Sequence, residues 1–156
     1  MNSLRYQHNT APASSLLWHL ETCDALFMPP LSERLDIAAY AAKMKQFATC
    51  FECMNDDQLV GLVAMYCNDT QRQQAHITSV SVVSGFQGRG IAQQLMTNAI
   101  AFAQKEQFEK ITLHVHSKNV QAIQLYHKFG FTFSHTLNDQ NVEMALTLLS
   151  DETRLQ

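Results

Sequence analysis

Gly85-Phe86-Gln87-Gly88-Arg89-Gly90-Ile91-Ala92 holds three of the chain's five glycines. A β-like stretch, Ile77-Thr78-Ser79-Val80-Ser81-Val82-Val83, runs into this segment. A helix-like stretch from Ile91 to about Gln104 leaves it, with Ile91, Leu95, Ala99 and Phe102 on one stripe. A glycine loop that ends a strand and opens a helix aims several backbone N–H groups at one spot. The first helical turn has no internal acceptors for those donors and carries the positive end of the dipole, so the spot suits a phosphate or pyrophosphate. Glycine lets the anion approach the backbone, where a side chain would hold it off.

Working outward, Leu4 to His8 reads as a short strand and Ala13 to Cys23 as a helix with Leu16, Leu17 and Leu20 on one side. Met28-Pro29-Pro30 breaks any helix, and Ser32 is placed to cap a second one carrying Ile37, Ala38, Ala41 and Met44. Thr49–Met54 and Gln58–Cys67 flank Asn55-Asp56-Asp57, a hairpin turn. Ala75–Val83 is the strand that enters the glycine loop. Ile111 to His116 alternates, with Ile111, Leu113 and Val115 facing one way. Asn119 is a good N-cap for a helix through Tyr126 that ends at Gly130. Phe131–Ser134 and Val142–Leu148 are two closing strands around a polar turn. One domain over residues 1–150 and a polar tail over 151–156 are expected.

With 46% hydrophobic and 16% charged residues, the chain is globular and lightly charged. A net charge of −3 gives no support to a nucleic-acid partner, which favours a clustered basic face. No apolar run approaches a membrane span and the N-terminus lacks a signal-peptide core, so no membrane partner and a cytoplasmic location are expected. Cys50 and Cys53 form a C-x-x-C without a second pair or a spaced histidine pair, so no metal is expected there. A Rossmann reading fails because Gly88-x-Gly90 is followed by Gln93 where the third glycine should stand.

The run Val82 to Ala92 resembles the central motif of the GNAT superfamily of N-acetyltransferases, Arg/Gln-x-x-Gly-x-Gly/Ala, met here as Gln87-x-x-Gly90-x-Ala92. Leu113-x-Val115-x-x-x-Asn119-x-x-Ala122-x-x-Leu125-Tyr126-x-Lys128-x-Gly130-Phe131 resembles the second family block, in the matching order. The resemblance is specific from about residue 75 to 133. It implies an α/β (α+β) fold, a GNAT-like mixed and mostly antiparallel central sheet with helices on both faces. Its two central strands, here 75–83 and 111–116, would splay apart.

Acetyl-CoA is the implied cosubstrate, lying in that opening. Its pyrophosphate would sit on the N–H groups of Gln87, Gly88, Arg89, Gly90, Ile91 and Ala92, and its pantetheine arm along the backbone of Ser81, Val82 and Val83. Asn119 and Tyr126 would lie near the arm and the sulfur, and Lys118, Lys128 and Arg89 are the nearest cations for the 3′-phosphate.

Acetyl transfer needs a neutral amine, a stabilised oxyanion and a leaving thiolate. Direct attack needs positioning but no protein nucleophile. The resemblance gives Tyr126 the role of protonating the thiolate, with the Val82 N–H polarising the carbonyl. His76, eleven residues before Gln87, is the candidate base. Glu52 is the runner-up; His114 and His116, pointing away from the Leu113/Val115 face, rank lower. Thr78 and Ser81 are candidates to orient a water. The acceptor pocket is expected from Phe27, Arg34, Glu52 and Tyr66, with Phe133 near it. The implied function is acetylation of a primary amine on a small molecule, such as an amino sugar or amino-acid-like metabolite. A non-catalytic acyl-CoA-binding or sensing module, and acetylation of a peptide or protein N-terminus, stay open as alternatives. Late exposed strands offer an edge for a homodimer.

Overall fold

Turns and caps divide the chain where their chemistry requires. The computed structural model describes residues 4–148, so the tail over 151–156 lies outside the described residues. The strands are β1 (Leu4–His8), β2 (Ala48–Asn55), β3 (Gln58–Tyr66), β4 (Gln74–Val82), β5 (Lys110–His116), β6 (Thr132–Thr136) and β7 (Asn141–Thr147). The helices are α1 (Ala13–Thr22), α2 (Ile37–Phe47), α3 (Ile91–Lys105) and α4 (Val120–Lys128). Seven strands form one mixed sheet in the order β1-β2-β3-β4-β5-β7-β6.

Most of the local expectations hold. Asp56 turns the β2–β3 hairpin at φ 53°, Asn119 caps α4 by accepting the Ala122 N–H (3.2 Å), and Gly130 follows α4 at φ 97°. One cap differs. Ser32 lies in a short 3-10 turn and donates its N–H to Asp24 Oδ1 (2.8 Å), while Asp36 caps α2 by accepting from Ala39 N–H (3.1 Å). Asp36 stands next to the first helical residue, where its carboxylate reaches the free N–H groups and complements the dipole.

By its contacts the chain divides into two compact units, Met1–Tyr66 with Ser79–Ala99 and Cys67–Thr78 with Ile100–Gln156. In the first, β1, β2 and β3 form an antiparallel meander. One face of it, with Cys50, Leu62 and Ala64, joins Leu16 and Leu20 of α1 and Ala41 and Met44 of α2 in a buried core. The other face receives Ile91 and Leu95 of α3 over Gly61. Cys50 and Cys53 therefore lie on opposite faces of β2 and do not converge.

In the second unit, β5 pairs antiparallel with β7, and β7 with β6. Ile111, Leu113 and Met144 are buried on one face, together with Phe108 and Phe131 at 0% exposure. Each fully buried phenylalanine contributes about 2–3 kcal/mol of transfer free energy. The parallel ladder of β4 with β5 runs from Gln74↔Lys110 to Ile77↔Leu113, although β4 continues to Val82 and β5 to His116. The backbone groups on that edge of β4 beyond Ile77 are thus not taken by this ladder.

Candidate active site

The glycine loop forms inside the first unit. Val83 donates its N–H to Val60 O (2.8 Å), which fixes the end of β4, and Gln87 Nε2 donates back to Val82 O (3.2 Å). Gly88 (φ 80°) and Gly90 (φ 77°) adopt the left-handed conformation that a side chain disfavours. A Cβ on either would meet nothing within 4 Å, so the space over the loop is open. The first helical bond closes from Gln94 N–H to Gly90 O. The N–H groups of Ile91, Ala92 and Gln93 precede it and point off the helix end. Arg89 lies over the Phe86 ring at 4.9 Å and is exposed. The strand-loop-helix geometry is the one the sequence pattern calls for.

Ser81 faces inward. Its Oγ is 2.8 Å from His19 Nε2, and His19 Nδ1 is 2.8 Å from Leu59 O. The carbonyl can only accept, so Nδ1 carries the proton and Nε2 accepts from the Ser81 hydroxyl. His19 is fully buried, and desolvation pushes its pKa down to about 4. The Ser81 hydroxyl thus spends its proton on His19.

His76 belongs to the second unit. Its Nδ1 is 2.8 Å from the hydroxyl of Thr112, a fully buried residue of β5. With Nδ1–H donating to that hydroxyl, Nε2 is the nitrogen left to take up a proton. Burial first, then the neighbouring His114, lower the His76 pKa, against the opposing pull of Glu143. The His76 and His114 rings meet edge to face at 4.7 Å. His114 Nε2 in turn lies 3.4 Å from Glu143 Oε1. The sequence reading ranked His114 below His76. Alternation does turn it away from Leu113 and Val115, but onto the very face that carries His76. Glu143 was not singled out at all: only the β5–β7 register, His114↔Glu143, brings it there.

On α4, Tyr126 is buried against Phe131 (6.0 Å between ring centres), and burial pushes its pKa up to about 12. It remains a protonated donor throughout the neutral range. Asn119 spends Oδ1 on its cap, which leaves Nδ2 for other partners. Lys118 and Lys128 are exposed.

Each expected acceptor-pocket residue has its own surroundings. Phe27 packs against the core beneath α1 and α2, and Arg34 is exposed at the end of the 3-10 turn. Tyr66 is half-buried with Lys43 Nζ 5.6 Å from its ring centre. Phe133 is 60% exposed on β6. Glu52 is 1% exposed, and its Oε1 accepts from Gln7 Nε2, the Thr10 N–H and hydroxyl, and the Ala11 N–H. Those donors tie the β1–α1 connection to β2 through Oε1, while Oε2 is buried with no hydrogen-bond partner among the described residues.

Residues 15–131 match the model of the acetyltransferase (GNAT) family. The chain is similar to N-alpha-acetyltransferase MAK3 of Arabidopsis thaliana, 30% identical over 115 residues, which cover 72% of this chain and 60% of that protein. It is also similar to the streptothricin acetyltransferase of Escherichia coli, 33% identical over 54% of this chain and 48% of that one. The chain thus spans roughly half of these relatives' length. The crystal structure of PaiA N-acetyltransferase from Thermoplasma acidophilum in complex with coenzyme A superposes with a TM-score of 0.71 at 13% identity, covering 93% of this chain and 99% of that one. No helix of the described residues is long and apolar enough to cross a membrane.

Proposed function

This chain belongs to the GNAT family of acetyltransferases, and on that premise we propose that it transfers the acetyl group of acetyl-CoA to the primary amine of a small molecule by direct attack. The observation that carries the reading is the open loop at Gly88 and Gly90, followed by the first-turn N–H groups of α3 that precede its first helical bond. Such a cradle fits a pyrophosphate, and bound acetyl-CoA supplies the activated thioester.

His76 then accepts the ammonium proton at Nε2. At neutral pH its lowered pKa keeps the ring uncharged and ready to do so. A lysine-like amine with a pKa near 10.4 would otherwise stay charged and unreactive. Thr112 fixes the ring and His114 backs it. The Val82 N–H stabilises developing negative charge on the carbonyl oxygen, and Tyr126 gives its phenolic proton to the leaving thiolate. Asn119 and Tyr126, which match the second family block, favour catalysis over a silent acyl-CoA sensor.

A second reading replaces the small amine with the α-amine of a polypeptide. Its support is the similarity to N-alpha-acetyltransferase MAK3, together with Leu26 and Met28, exposed in the α1–α2 connection.

Calorimetric titration of acetyl-CoA into the wild type and Gly90→Glu tests the base of the reading. Binding lost in the variant supports the cradle; no binding to folded wild type overturns it. Coenzyme A release with amino sugars, free amino acids and short peptides then separates the two acceptors.

A further inference from the structure

Four titratable side chains stand in a row across β4, β5, β7 and β6. His76 contacts His114 edge to face, His114 Nε2 lies 3.4 Å from Glu143 Oε1, and His135 Nδ1 lies 3.5 Å from Glu143 Oε2. The cross-strand pairs His114↔Glu143 and His135↔Glu143 put the carboxylate between the two imidazoles, one oxygen to each. The carboxylate is 14% exposed, whereas the two histidines it touches are about half exposed. The groups facing it are His114 from β5 and His135 from β6, the latter also 3.2 Å from Ser134 Oγ. Lys110 and His116, on the same side of β5, stand opposite Thr147 and Asn141 instead.

We propose that Glu143 is a positioning residue of the transfer reaction: it fixes the His114 ring and supplies the counter-charge for the proton that the His76–His114 pair takes from the amine. This rests on His76 being the base. A carboxylate accepting from Nε2–H holds His114 in the tautomer whose Nδ1 is bare. When the amine N–H bond breaks and an N–H bond forms on His76, the Glu143 carboxylate offsets the repulsion that His114 exerts on the new imidazolium. His114 meanwhile lends its Nε2–H to Glu143. His135 stands 3.5 Å from the other carboxylate oxygen. A half-exposed pair far from any substrate would be ordinary surface charge. This one abuts the half-buried base, where its field is less screened.

Histidine ring nitrogen NMR on the substrate-free protein, followed by kcat/KM against pH, tests the proposal with Glu143→Gln and Glu143→Asp. The wild type should show His114 as the Nε2–H tautomer. Glu143→Gln should lower the His76 titration by about 0.5–1 unit, carrying the acid limb of kcat/KM down with it. It should also reduce plateau kcat about tenfold, as expected for weakened general-base catalysis. Glu143→Asp, which keeps the charge, should restore most of the limb position; a packing role would be served as well by the isosteric Gln. An unchanged titration and tautomer in Glu143→Gln overturn the role of Glu143 and leave the base reading standing. A shifted titration with unshifted kinetics overturns His76 as the base, and the positioning role with it.

Discussion

Gly61 of β3 lies directly under Ile91 of α3: a Cβ built on Gly61 would come 2.5 Å from Ile91 Cγ2 and 3.1 Å from Leu95 Cδ1. Ile91 opens the helix whose first turn is the proposed anion cradle, so the missing side chain sets how closely that turn sits on the sheet. Gly61→Ala has nowhere to put its methyl except by lifting a β-branched side chain with little rotameric freedom. The expected cost is about 1–3 kcal/mol from overpacking, a fall in Tm of about 2–4 °C per kcal/mol in a chain of this size. Acetyl-CoA affinity should fall as well, which thermal unfolding and calorimetry on one variant would show together.

The His76 environment predicts a pH profile. Burial and the adjacent His114 lower its pKa, so the neutral, proton-accepting form persists below pH 6.5. The kcat/KM curve should stay flat on acidification past that point and fall only at lower pH. His76→Gln should abolish this limb and lower kcat/KM by roughly 10²–10⁴-fold. Thr112→Val, which releases the ring, should act in the same direction and more weakly.

Tyr126 gives the opposite signature. With its pKa pushed up to about 12, it stays protonated across the assay range and contributes no basic limb below that value. Tyr126→Phe should reduce kcat by about 10²-fold or more while the calorimetric affinity for acetyl-CoA barely changes. An equal loss of affinity would mark the ring as a binding surface instead of a proton donor.

His19 links stability to acidity. Its folded pKa is about 4 against 6.5 in the unfolded chain, so the unfolded state binds the extra proton between those values. The stability contributed by neutral His19 is full above pH 6.5 and declines as pH falls through the window to about 4. The slope approaches about 1.4 kcal/mol per pH unit, some 3 kcal/mol in all. Urea unfolding at pH 7 and pH 4.5 should show the drop in the wild type, and His19→Gln should show a shallower one.

Local chemistry was legible wherever neighbours in sequence decide it. Asn119 caps and Gly130 ends α4, and Asp56 turns a hairpin, because each acts within a few residues of itself. The α2 cap was misread because Ser32 and Asp36 are both good cap residues, and the 3-10 turn after Pro30 consumes the first. The sequence marks Glu52 as a candidate at the acceptor site and says nothing of what its Oε1 binds. Its partners Gln7, Thr10 and Ala11 lie more than 40 residues away, and only the β1–β2 register brings them to it.

What the sequence determined by itself is the glycine loop, its helix and the order of the elements, since backbone conformation, capping and periodicity act over a few residues. The tertiary structure alone decided which polar side chains meet. His19 reaches Ser81, and His114 stands between His76 and Glu143, through strand registers and packed faces that span dozens of residues. A one-residue slip in any of those strands would turn the same side chains to the other face.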